Sequence, residues 1–145
     1  MEYKFFGHEI CQMIKPINED FKGVLNALHL YDLMQDIWCE YSCAPRMRKN
    51  WSKENMTLGQ CSITSFLIQD IFGGEVYGVP LKGGGYHCFN VVNYLMFDLT
   101  SEQFGGAKLD YEHVDLQTRE EHFKDDEKYQ RYLLLKKRLL AKNKK

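Results

Sequence analysis

The sequence predicts an α+β fold in which N-terminal helices and a helix opening at Cys61 pack on a small antiparallel sheet, and a further helix closes the chain. Three observations carry this. Apolar residues recur at helical intervals before Pro45 and again after Cys61. After Gly73-Gly74 the period changes to short runs rich in β-branched and aromatic residues. From Arg119 onward the chain is again helical, acidic at its beginning and basic at its end, as the helix macrodipole favours. With 145 residues and no internal repeat or linker, the chain reads as a single domain, 1–145. It has a helical part at 1–45, the nucleophile helix and sheet at 46–104, and a C-terminal helix at 119–142.

In the first part, Leu30, Leu33, Met34, Ile37 and Trp38 outline one or two helices, with Asn18, Glu19 and Asp20 as an acidic start and Pro45 as the stop. "RMRKNWSKENMT", residues 46–57, is polar and basic around Trp51 and reads as a connecting loop. From Cys61, the residues Ile63, Phe66, Leu67, Asp70 and Ile71 repeat at three and four, and Gly73-Gly74 ends that helix. "EVYGVPL", "YHCFNVV" and "YLMFDLT" then read as three antiparallel strands, with Gly83 to Gly85 in the first turn. In the last helix, Tyr129, Tyr132, Leu133, Lys136 and Leu140 form a stripe suited to docking on the domain.

Nineteen basic against twenty acidic side chains give a formal charge of −1, so no overall field gathers nucleic acid or an anionic membrane. No apolar run approaches the roughly 20 residues that span a bilayer, and "MEYKFFGHEICQ" lacks the apolar core of a signal peptide. Five cysteines, an odd number without a CxxC pair, argue against a secreted disulfide framework and for reduced thiols in the cytoplasm.

A reduced thiol at a helix start is a candidate nucleophile. An ordinary cysteine is mostly protonated at neutral pH, but the first turn of a helix presents unpaired N–H groups and the positive end of the macrodipole, which favour thiolate. Cys61 occupies that first turn if the helix begins near Gly59. A nucleophilic cysteine also needs an imidazole within reach, and the imidazole needs a third group on its other nitrogen. A strand turn centred between Val92 and Asn93 sets Val91 opposite Tyr94, Phe89 opposite Met96 and His87 opposite Asp98. Cys61, His87 and Asp98 are therefore the candidate nucleophile, general base and orienting carboxylate.

At these residues the chain resembles the YunG-like family of small uncharacterised bacterial proteins. The stretch "WSKENMTLGQCSITSFLIQDIFGGEV", followed by "YHCFNVVNYLMFDLTSEQF", carries a similar Trp-Ser, Gly-Gln-Cys, Gln-Asp, Gly-Gly, His-x-x-Asn and Asp-Leu-Thr series, and the match covers roughly Trp38 to Phe104. Met56-Thr57 stands where a proline and a small residue are expected, and Cys88 where an aromatic is usual. The order Cys, His, Asp is also similar to that of papain-like and transglutaminase-like cysteine enzymes. The resemblance implies a papain-like cysteine-protease-type fold and the same three roles for Cys61, His87 and Asp98. It implies oxyanion donors from the Cys61 backbone N–H and from Gln60 or Asn55, the latter where papain-like enzymes place a glutamine. Trp51 joins them as a substrate-binding candidate.

The function expected is a cysteine-dependent hydrolase or acyl transferase acting on a peptide or a small amide or ester. No cofactor, metal, nucleic acid or membrane is expected to take part, and the terminal helices leave room for a homodimer. The competing reading is a catalytically inactive papain-like interaction module with Cys61 buried. A zinc site at Cys39, Cys43, Cys61, His87 and Cys88 is disfavoured, because short-spaced ligand pairs are missing and His87 and Cys88 point to opposite faces of a strand. Cys39 and Cys43 read as helix packing, Asn90 as a structural hydrogen-bonder, and His8, His29, His113 and His122 as surface or satisfied core residues.

Overall fold

A computed structural model describes residues 2–143. Its architecture is α+β. Helices α1 (Ala27–Met34), α2 (Cys61–Phe72), α3 (Arg119–His122) and α4 (Asp126–Asn143) accompany a four-stranded antiparallel sheet. The strands are β1 (Glu75–Pro80), β2 (Tyr86–Val92), β3 (Leu95–Phe97) and β4 (Asp115–Gln117), in the order β3-β2-β1-β4.

Helix α2 lies between β2 on one side and α4 on the other. That position explains its composition: the six consecutive residues Ile63 to Ile68 are all buried, so its apolar surface runs around the helix instead of along one stripe. The polar members are satisfied in place. Trp38 Nε1 donates to Thr64 Oγ1 at 2.9 Å, and Asn90 Nδ2 donates to the Ser65 carbonyl at 2.9 Å, tying β2 to α2. Gly73, at φ +79°, closes the helix where the sequence places its stop.

The N-terminal part is less regular than its apolar spacing predicts. Only Ala27–Met34 is α-helical, capped by Asn26, whose side chain accepts from His29 N at 2.8 Å. The flanking segments are 3₁₀ turns at His8–Met13, Glu19–Phe21, Glu40–Ser42 and Pro45–Asn50. Pro45 begins the last of these instead of ending a helix, because a residue with no N–H suits a first helical position. Cys39 and Cys43 flank the Glu40–Ser42 turn and do not share an α-helical face.

Two differences from expectation concern the sheet. Strand β4 pairs with the outer edge of β1, from Val76↔Gln117 to Gly78↔Asp115, although its sequence has no apolar alternation. The β2–β3 hairpin turns at Asn93-Tyr94, whose φ values are +52° and +68°, and not at Val92-Asn93. A two-residue turn of this hand needs positive φ at both positions, which β-branched Val92 resists. The ladder therefore runs Val92↔Leu95, Val91↔Met96 and Asn90↔Phe97, two residues away from the register expected. A shift of two preserves the face on which each side chain lies.

The C-terminal helix is broken at Phe123–Asp125 into α3 and α4. The buried face of α4 is Arg131, Tyr132, Leu135 and Leu139; of the expected stripe only Tyr132 is fully covered. Among the described residues no helix is long and apolar enough to cross a membrane.

Candidate active site

Cys61 is the first residue of α2, with Gln60 at the N-cap. The turn before it is held by Gly59 at φ +70°; a Cβ there would lie 2.6 Å from Cys43 Sγ, so only glycine fits. Gln60 is wholly buried and spent on structure: its Oε1 accepts from Ser42 Oγ at 2.8 Å and its Nε2 donates to the Cys39 carbonyl at 3.1 Å. Gln60 thus anchors the helix start to the 3₁₀ turn beneath it.

Cys61 and His87 line one cavity of about 420 Å³. His87, on β2, is 1% exposed, and its Nε2 meets Asp98 Oδ2 at 2.6 Å. Continuing the observed ladder places Asp98 opposite Phe89 and diagonal to His87, a separation of about 7–8 Å between backbones that an imidazole and a carboxylate bridge. Asp98 is itself held from several sides. Its amide donates to the Phe6 carbonyl at 2.9 Å, its Oδ1 accepts from Thr100 N at 3.2 Å, and its Oδ2 accepts from the Tyr111 hydroxyl at 2.8 Å. The Phe104 ring stands edge-on to the imidazole at 4.7 Å.

The second ring nitrogen, Nδ1, is buried and has no hydrogen-bond partner among the described residues. Cys61 lines the same cavity, and the two groups shift each other's protonation. Cys61 is held well below the ordinary thiol range, first by the neighbouring Cys88 thiol and, against the cost of burial, by charge attraction to His87. Burial alone would lower His87, but the hydrogen bond to Asp98 and the nearby Cys61 thiol raise it to about 10. Cys88, wholly buried, is pushed the other way by its hydrogen bond to Cys61 and by burial, so it keeps its proton. Both shifts favour the charged forms, thiolate at Cys61 and imidazolium at His87.

Of the remaining expected residues, Trp51 Nε1 donates to the Met56 carbonyl at 2.9 Å, and Asn55 forms a tight turn with Ser52. Neither belongs to the cavity wall. Gly83 to Gly85 all take positive φ beside the cavity mouth, with open space around them. The sequence reading also passes over residues that the fold delivers here. Gln103, whose Oε1 accepts from Gly59 N at 3.4 Å, and Phe104 come from the 3₁₀ turn after Asp98. His122, read from sequence as a surface or satisfied core residue, also lines the cavity: its Nε2 meets Gln117 Oε1 at 2.7 Å and its Nδ1 meets Lys128 Nζ at 2.9 Å. Among the described residues no group of three or more His, Cys, Asp or Glu is placed to hold a metal ion.

Comparison with known proteins gives a consistent outcome. The chain matches the family described as "YunG protein" over residues 26–144, well beyond the stretch that carries the motif series. The chain belongs to the YunG family. It is 34% identical over 104 residues to "Uncharacterized protein YunG" of Bacillus subtilis (strain 168), an alignment covering 70% of this chain and 84% of the relative. No solved structure matches it significantly. Family membership spans all three of Cys61, His87 and Asp98, as well as the Gln117, His122 and Lys128 wall.

Proposed function

We propose that this chain is a cysteine-dependent hydrolase or acyl transferase of papain-like type, acting on an amide or ester carbonyl. The observation that carries the reading is the division of the His87 ring in the cavity that Cys61 also lines: Nε2 is committed to Asp98 at 2.6 Å, and the buried Nδ1 has no hydrogen-bond partner among the described residues. A helix-borne thiol, a strand imidazole and a carboxylate behind it are the parts of a papain-like constellation on an α+β frame.

In the reaction, the Cys61 thiolate attacks the carbonyl carbon and the carbonyl π electrons move to oxygen. The N–H groups of the first turn of α2, which have no intrahelical acceptor, stabilise that oxyanion. His87 gives its Nδ1 proton to the departing amine or alcohol, leaving a thioester on Cys61. Water, or an acceptor amine, then loses a proton to His87 as it attacks the thioester, and collapse releases the acid or new amide with Cys61 as thiolate. Asp98 does not exchange a proton; it fixes the ring and offsets the imidazolium. Five free thiols suit an enzyme of a reducing compartment, the cytoplasm.

The test is the rate of Cys61 alkylation against pH in the wild type and in His87→Ala. The expected result is a thiolate reactive below pH 7 whose rate at pH 6 falls on the order of 100-fold in the variant. Rates equal to those of free cysteine in both proteins would overturn the enzyme reading and favour an interaction module.

A further inference from the structure

Resting on that reading of Cys61 and His87, we infer that the cavity selects substrates bearing a carboxylate close to the reacting carbonyl, and that Lys128 and Arg46 hold it. Three cations, Arg46, Lys128 and Arg131, and two carboxylates, Glu121 and Asp125, face the cavity. Several of these charges are already committed. Arg131 is paired with Glu127 at 2.9 Å and donates to the Ser42 carbonyl at 3.2 Å, and Glu121 is paired with Lys124 at 2.9 Å. Asp125 accepts from the Lys128 backbone N–H at 3.3 Å, at the start of α4.

Lys128 and Arg46 differ from these. Among the described residues, neither has a carboxylate within ion-pair distance. The Lys128 ammonium is fixed by a neutral partner: His122 gives its Nε2 proton to Gln117 Oε1 and so presents a bare Nδ1 to Lys128 Nζ at 2.9 Å. That contact uses one of three N–H groups and cancels no charge. A half-buried ammonium kept without a counter-charge on the wall of a reactive cavity is suited to an anion brought by the substrate.

The charge count selects the anion. With Arg131 balanced by Glu127 and Glu121 by Lys124, the wall is left with Lys128 and Arg46 against Asp125, one positive charge in excess. One carboxylate balances it, whereas a phosphate dianion overshoots and meets Glu121 and Asp125. An acidic side chain or a terminal carboxyl group next to the scissile bond supplies that single charge.

The experiment compares Cys61 alkylation by iodoacetate and by iodoacetamide, read at Cys61 by mass spectrometry. Their rate ratio cancels changes in thiolate fraction and isolates the response to one negative charge. The ratio is expected to fall about threefold to tenfold in Lys128→Met, less in Arg46→Met, and to be kept in Lys128→Arg, as the loss of a unit charge a few ångströms from the reagent requires. Arg46 is exposed, so its variant carries the test if Lys128→Met does not fold. A ratio unchanged in both variants, while iodoacetamide still reacts fast below pH 7, overturns the carboxylate inference and leaves the thiol reading standing. Slow alkylation by both reagents in the wild type overturns the thiol reading, and this inference with it. Protection of Cys61 by inorganic phosphate at concentrations where acetate gives none would also overturn the choice of a carboxylate.

Discussion

The two histidines of the cavity, His87 on the sheet side and His122 on the helical side, are both covered by protein and are driven in opposite directions. Burial lowers each. His87 overcomes it because Asp98 is bonded to its Nε2 and the Cys61 thiol lies nearby, and it rises to about 10. His122 has an amide oxygen on one nitrogen and the Lys128 ammonium on the other, so burial and that cation push it down together. The difference teaches that the partners and not the degree of burial decide which ring carries charge. One histidine is thereby favoured in its charged form, and the other as a neutral ring that contacts a lysine.

The sharpest way to break the contrast is to remove the carboxylate. Asp98→Ala leaves a buried imidazolium without its counter-charge and should cost about 3–5 kcal/mol in urea unfolding at pH 6, against little change at that pH for a substitution of exposed Asp110. The pH dependence of stability comes next. Between the ordinary histidine value of 6.5 and the ordinary thiol value of 9.0, folding releases one proton from Cys61 and takes one up on His87, so these contributions cancel and the profile should be flat. Above 9.0 the unfolded chain has lost protons that His87 and Cys88 retain, as do Cys11 and Cys43, so stability should fall with rising pH, by up to about 1.4 kcal/mol per pH unit for each fully retained proton. Below 6.5 the unfolded chain binds protons that the Cys61 thiolate and the neutral His122 refuse, so stability should fall on acidification as well. In Cys61→Ser the cancelling contribution is gone, and the alkaline decline should begin at lower pH; an unaltered profile would contradict the ion pair.

Two smaller effects sharpen the comparison. Tyr111→Phe removes a 2.8 Å hydrogen bond to the same Asp98 oxygen that holds His87, and should cost about 1 kcal/mol in unfolding. Asp98 then becomes a stronger acceptor, so the acid limb of Cys61 alkylation should persist. Finally, Lys128→Met removes the cation beside His122, and the His122 ring protons should titrate at higher pH in NMR spectra, with the His87 signals displaced far less.

Much of the site can be read in the one-dimensional pattern. Gly59-Gln60 before an apolar helical rhythm places a thiol at a helix start, and the β-branched runs after Gly73-Gly74 place His87 and Asp98 on adjoining strands. The hairpin register is the instructive miss. It is displaced by two residues because the turn takes Asn93-Tyr94, yet the period of a strand is two, so His87 and Asp98 remain on one face and still meet. The N-terminal helices are over-read for a different reason: apolar spacing there is answered by burial of 3₁₀ turns and loops, which the same spacing serves. Strand β4 escapes detection because an edge strand of three residues is made by the backbone groups of β1 and not by its own side chains.

By itself, then, the sequence determined the α+β class, the helix that opens at Cys61 and the residue types needed for a thiol reaction, because these depend on local periodicity and on turn chemistry. Only the tertiary structure decided that Gln60 is a strut, that Tyr111 and Phe6 brace Asp98, and that His122 and Lys128 join the cavity lining. Those roles come from contacts between segments far apart in the chain, and no local pattern encodes which distant partner a side chain will meet.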